Sequence, residues 1–165
     1  MSQLSRRTFL SAAAAAYPAA GANDRLSIGI IGAGNRGQAL LREVEKCSAL
    51  NVAVTAVCDV YKPNRERAAA TVAKAWGQPP RTTVDYRELL AWKDVDAVLI
   101  AVPDFGHSRI LQHAVEAGKD AYCEKPMGVD FAEAKSAWQA VKSRKQVVQI
   151  GTQRRSDPHF VAAAK

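Results

Sequence analysis

The sequence predicts an α/β domain built on a doubly wound parallel sheet. Three observations carry that expectation. Strand-like and helix-like stretches alternate along the chain. Two of the strands, 51–59 and 97–102, are almost wholly apolar, as strands covered by helices on both faces are. The first strand runs directly into Gly32-Ala33-Gly34-Asn35-Arg36-Gly37 before a helix begins. Such alternation closes into right-handed β-α-β crossovers.

Each element follows from its local pattern. Residues 26–31 form a short apolar run ending at Gly32, read as the first strand. Residues 36–47 place Ala39, Leu40 and Val44 on one helical face. The run NVAVTAVCD at 51–59 is β-branched and apolar, a strand buried on both sides. Pro63 opens the next helix in its first turn and Gly77 closes it. Residues 82–84 suggest a short strand and 86–91 a short helix. AVLIAV at 97–102 is another buried strand. Ile110, Leu111, Ala114 and Val115 share a helical face that stops at Gly118. A brief strand follows at 121–123. Asp130 and Glu133 form a capping-box pair opening a helix through Arg144. Residues 147–150 are the last strand.

Composition agrees with one globular domain. The chain has 165 residues, 48% apolar and 24% charged, which excludes a disordered tail, a collagen-like repeat and a disulfide-stapled miniprotein. Three cysteines without C-x-x-C spacing argue against a zinc site or a disulfide framework. Trp76, Trp92 and Trp138 fall on or beside helices, where packing is the expected role.

The first 22 residues read as an address label. They contain no acidic residue, and Arg6-Arg7 precede the apolar run 9–17, which Pro18 breaks before Ala20-Gly21-Ala22. Nine residues cannot span a bilayer core of about 30 Å as a helix, so no stable membrane span is expected. Ser5-Arg6-Arg7-Thr8-Phe9-Leu10 resembles the twin-arginine export signal. That implies an exported, periplasmic protein and the twin-arginine translocation machinery as a transient partner. Two of the positive charges behind the net +7 then leave with the signal, and +5 remains. No basic run interleaved with aromatics occurs, so nucleic acid is not an expected partner.

The glycine turn carries the chemistry. Gly32 allows the tight turn, Gly34 lets a pyrophosphate approach the backbone, and Gly37 lets helix and strand pack closely. The helix N-terminus offers free N–H groups and partial positive charge to phosphates. Asp59 ends the second strand, 22 residues after Gly37, where a carboxylate accepts from ribose hydroxyls and repels a 2′-phosphate. NAD is therefore favoured over NADP, with Arg65 leaving some tolerance for NADP. The bland alternative is a glycine-rich turn with a helix-capping aspartate.

Gly29-Ile30-Ile31-Gly32-Ala33-Gly34, the stretch Asp96 to Asp104, His107, and Glu124-Lys125-Pro126 together resemble the glucose-fructose oxidoreductase, inositol dehydrogenase and rhizopine catabolism (Gfo/Idh/MocA) family. The resemblance covers residue 26 to the C-terminus, and Glu-Lys-Pro is its most specific part. It implies an N-terminal Rossmann domain for NAD or NADP and a C-terminal α+β domain that holds a sugar- or cyclitol-like small molecule. It also implies site roles. Pro103 and Asp104 resemble the turn under the nicotinamide-side ribose. His107 resembles the histidine that follows that turn, although local packing and hydrogen bonding explain a helix-start histidine equally well. Glu124 and Lys125 resemble the pair whose lysine reaches the nicotinamide ribose and a substrate hydroxyl, which makes Lys125 the candidate catalytic residue. A cis Pro126 fits a tight turn here. Gln153 and Arg155 fall in the loop after the sixth strand, facing the nicotinamide or joining the two domains.

These readings divide the chain into a signal at 1–22, an NAD(P)-binding domain at 23–150, and at 151–165 the start of a connection to a substrate domain this chain does not contain. The expectation is a fragment of a longer oxidoreductase, with an acid/base supplied by the second domain and a homo-oligomer left open. Two alternatives stand beside it. One is an NAD-dependent glycoside hydrolase working by transient oxidation and elimination. The other is a non-catalytic dinucleotide-binding module.

Overall fold

The computed structural model describes residues 25–152 and 158–163. The export signal expected at 1–22, and Gln153 and Arg155, lie outside the described residues. Six strands form one sheet: β1 Leu26–Ile31, β2 Val52–Cys58, β3 Arg81–Thr83, β4 Ala97–Ile100, β5 Asp120–Glu124 and β6 Val148–Gly151. Their order is β3-β2-β1-β4-β5-β6, and every neighbouring pair is parallel. Helices α1 Asn35–Lys46, α2 Lys62–Trp76, α3 Tyr86–Ala91, α4 His107–Glu116 and α5 Phe131–Lys142 link the strands, and α6 Pro158–Ala163 follows. The expected doubly wound parallel sheet is the fold observed. Among the described residues, no helix is long and apolar enough to cross a membrane.

Two cores explain why the strands are apolar on both faces. Ile28, Ile30, Val54 and Val57 pack with Leu41 of α1 and with Ala68 and Val72 of α2. Ile31, Val98, Ile100 and Cys123 pack on the opposite face with Leu89 of α3 and with Ile110, Leu111 and Val115 of α4. Adjacent residues such as Ile30 and Ile31 thus serve different layers, as the period of two in a strand requires.

The boundaries differ where side chains compete with the ladder. The sequence suggests a strand through Val102, but β4 ends at Ile100. Beyond it, the Val102 carbonyl turns to the His107 ring instead of to a neighbouring strand. A 3-10 turn at Asp104–Gly106 then leads into α4, so His107 begins that helix. Pro63 lies in the first turn of α2, and Gly77 caps its other end at φ 73°. Asp130 accepts from the Glu133 amide at the start of α5.

The chain leaves β1 towards β2 on one side, and β4 occupies the other side. The crevice at the carboxyl ends of β1 and β4 is the switch point where such sheets take ligands.

Candidate functional site

The glycine turn forms one wall of that crevice. Gly32 has φ 89°, and a β-carbon there would sit 2.6 Å from the carbonyl carbon and oxygen of Ala101. A β-carbon on Gly37 would run into the Gly32 carbonyl, so α1 lies against the turn only because both residues are glycine. Gly34 differs. The nearest atom to a β-carbon there is Asn64 Nδ2 at 3.7 Å, which leaves its outer side open to a ligand. Gly34 is also the N-cap of α1, with no side-chain cap and no acidic residue in the first turn. The first N–H groups of the helix are therefore available to an anion.

Asp59 lies beside this turn, just beyond the end of β2. Its Oδ2 accepts from the Ala33 amide at 2.7 Å, and its Oδ1 accepts from the Tyr61 amide at 2.8 Å. Two backbone donors thus fix the carboxylate beside the glycine turn. Arg65 donates instead to the Asp59 main-chain carbonyl at 2.7 Å. Gly32, Gly34, Asn35, Arg36, Asp59 and Pro103 all border a cavity of about 540 Å³, a size typical of cofactor sites. An open glycine, an uncapped helix start and an oriented carboxylate fit the phosphates and ribose of a dinucleotide.

A second cavity of about 350 Å³ adjoins the first. Arg36, Asp104, His107, Glu124 and Lys125 border it, with Ala101 and Val102. Arg36 directs Nε and Nη2 to Glu124 Oε1, each at 2.5 Å. Glu124 is buried, and its Oε2 also accepts from the Lys125 amide at 3.3 Å. The structure thus brings the glycine turn, the 102–104 turn and the Glu-Lys-Pro turn together at the carboxyl ends of the strands. The Lys125–Pro126 peptide is cis.

Comparison with known proteins agrees with this fold. The family model described as "Oxidoreductase family, NAD-binding Rossmann fold" (GFO_IDH_MocA) matches residues 26–152. The chain belongs to the GFO_IDH_MocA oxidoreductase family. It is 33% identical over 137 residues to the inositol 2-dehydrogenase of Rhizobium meliloti, covering 83% of this chain and 39% of that protein. It is 36% identical over 137 residues to an inositol 2-dehydrogenase/D-chiro-inositol 3-dehydrogenase of Shouchella clausii, covering 81% and 38%. The crystal structure of myo-inositol 2-dehydrogenase from Lactobacillus plantarum superposes with a TM-score of 0.75 at 28% identity, covering 84% of this chain and 40% of that one. The chain therefore spans about two fifths of the length of these relatives.

Within this GFO_IDH_MocA domain, several residues at the site escape a reading by motif. Asn64 comes from the first turn of α2 and borders the larger cavity beside Asp59. Val60, Val84, Tyr86 and Phe105 line its apolar side. Tyr122 donates to Glu124 Oε1 at 3.3 Å. Its only signal in the sequence is its place two residues before Glu124, on the same side of β5. Burial and the Glu124 charge hold the Tyr122 phenol above its ordinary pKa. Burial pulls the Arg36 guanidinium down, but the bond to and charge of Glu124 carry it above its ordinary value. His107 is almost wholly buried, and both its ring nitrogens face backbone carbonyls.

Proposed function

We propose that this domain serves an NAD(P)-dependent oxidoreductase that acts on a hydroxyl of a sugar, cyclitol or derivative. The observation that carries the reading is the Arg36–Glu124 contact, which joins the phosphate turn to the residue beside Lys125. When bound, the dinucleotide supplies the hydride acceptor or donor at C4 of its nicotinamide. The open side of Gly34 and the uncapped start of α1 bind the phosphates. Asp59 receives the adenosine ribose hydroxyls and disfavours a 2′-phosphate, so NAD is the preferred form. Lys125 is exposed at the cavity edge. There its ammonium orients a substrate hydroxyl and stabilises developing negative charge on that oxygen. A second domain in the whole protein supplies the enclosing wall and the acid/base that exchanges the hydroxyl proton. Its inositol dehydrogenase relatives support a polyhydroxylated ring as substrate. Residues 1–22 support export to the periplasm by the twin-arginine route.

Calorimetry with NAD and NADP tests the cofactor assignment. NAD binds more tightly to the unaltered chain, and Asp59→Ala reduces that preference by about tenfold or more. An Asp59→Ala chain with unchanged preference would remove Asp59 from the ribose site. NADH formation by the whole protein with a panel of cyclitols and sugars tests the reaction class. If none of them is oxidised and none of the corresponding ketones reduced, that class is wrong.

A further inference from the structure

The start of α4 carries a cluster that the nucleotide motif does not explain. His107 and Ser108 are both about 1% exposed. His107 Nδ1 is 2.7 Å from the Pro126 carbonyl oxygen, and Nε2 is 2.9 Å from that of Val102. Ser108 Oγ donates to the Met127 carbonyl at 2.9 Å. Gly128 lies so close that a β-carbon there would overlap Ser108 Oγ. Two consecutive side chains thus lie against three carbonyls, two from the turn after Lys125 and one from the turn that begins at Val102.

The ring spans the two turns, with one nitrogen against a carbonyl of each. Either neutral tautomer donates to one of the two carbonyls, and the imidazolium donates to both. No nitrogen is left over to touch a ligand. A ring so engaged fixes the spacing between two turns that border the same cavity as Lys125 and Asp104.

We propose that His107 and Ser108 are positioning residues that hold the Lys125 turn against the 102–104 turn and so shape the nicotinamide end of the site. The proposal rests on the dinucleotide reading above. It gives His107 no contact with the cofactor and no proton transfer. Its effect falls on the nicotinamide half of a dinucleotide and leaves the adenosine half alone.

Three variants of the full chain separate the ties. His107→Asn keeps a donor near the place of Nδ1 and so keeps the Pro126 link, losing Val102. His107→Gln keeps a donor near Nε2 and does the reverse. Ser108→Ala removes only the Met127 link. Binding of ADP and NADH is measured by calorimetry and NADH fluorescence, and amide hydrogen exchange is followed without ligand. The expected result is NADH affinity weakened about fivefold to tenfold in each His107 variant and less in Ser108→Ala, with ADP affinity within about twofold of the unaltered chain. Exchange quickens at residues 102–104 in His107→Asn and at 125–128 in His107→Gln, while β1 and β2 keep their protection. Equal losses of ADP and NADH, or unchanged NADH binding in a folded His107 variant, would overturn the positioning role. Should the unaltered chain bind neither ADP nor NADH, the dinucleotide reading itself fails and takes this one with it. If both His107 variants fail to fold, Ser108→Ala decides: NADH binding and exchange at 125–128 both unchanged would refute the role.

Discussion

Arg36 and Glu124 are 88 positions apart in sequence, yet the guanidinium of one meets the carboxylate of the other at the open edge of the sheet. Arg36 stands in the first turn of α1, and Glu124 ends β5. β1 and β4 carry α1 and β5 into register, so the contact is a product of the parallel sheet. The side chains are unequal in exposure, 41% for Arg36 and 5% for Glu124. Removing the arginine exposes a buried carboxylate to fewer donors, whereas removing the glutamate leaves a cation that water can still reach. Arg36→Met is therefore expected to destabilise the fold more than Glu124→Gln, by about 1–3 kcal/mol against about 1 kcal/mol. Urea unfolding of the two variants checks the order, and the reverse order would mean that the pair is not limited by Glu124 burial.

The glycines make a second comparison. Gly77 has φ 73° with nothing within 4 Å of a would-be β-carbon, so Gly77→Ala adds backbone strain alone. That costs about 1–2 kcal/mol. Gly37→Ala forces a methyl group into the Gly32 carbonyl and must displace backbone. The expected loss is about 3 kcal/mol or more. Dinucleotide binding should fall with Gly37→Ala and hold with Gly77→Ala. Thermal unfolding and NADH titration read both, and equal effects would refute the contact account.

The three thiols should react in two classes. Cys58 and Cys123 are buried in β2 and β5, and Cys47 is exposed. Burial, aided by the charges of Asp59 and Glu124 respectively, pushes the thiols of Cys58 and Cys123 up to about 12. Neither forms appreciable thiolate at about pH 8, the form that attacks a disulfide reagent. The folded chain should consume about one equivalent of such a reagent quickly, and the unfolded chain about three. Rapid modification of Cys123 in the folded chain would contradict the packing of β5.

Lys119 links stability to alkaline pH. Its buried ammonium donates to the Trp92 and Val95 carbonyls at 2.8 and 2.6 Å. Burial lowers its pKa below 10.5, and the charges of Asp96 and Asp94 only partly restore it. In the window just below 10.5, the unfolded chain holds a proton that the folded chain has released. Unfolding then takes up protons, so stability from this group rises with pH through that window. Tyr86 and Tyr122, held above their ordinary values by burial, act in the opposite sense at the alkaline end. Those phenols are common to the unaltered chain and Lys119→Met, so their contribution cancels in a difference. The unaltered chain should gain on Lys119→Met as pH rises towards 10.5. A flat difference in denaturant midpoints would show that burial of Lys119 carries no proton linkage.

The nucleotide half of the site was legible because its parts are local. Gly32, Gly34 and Gly37 state a backbone geometry within six residues, and Asp59 follows at a readable distance, directly after the next strand. The Glu-Lys-Pro turn was found through resemblance, which names residues without saying what holds them. Tyr122, Asn64 and Ser108 carry no motif. Tyr122 and Asn64 meet partners two and five residues away, Glu124 and Asp59, whereas Ser108 meets the Met127 carbonyl, which only the folded chain places beside it.

By itself the sequence determined the parallel α/β class, the place of the glycine turn and the second strand, which ends at Cys58, one residue before Asp59. Those follow from periodicity and from residues whose conformational range is short-ranged. Only the tertiary structure decided that Arg36 meets Glu124, and that His107 spends both ring nitrogens on two separate turns. The Arg36–Glu124 and His107–Pro126 contacts at the carboxyl edge depend on strand order and register, which join residues 88 and 19 positions apart. A local pattern shows which donors and acceptors a segment offers, whereas burial beside a particular carbonyl or carboxylate sets how they are used.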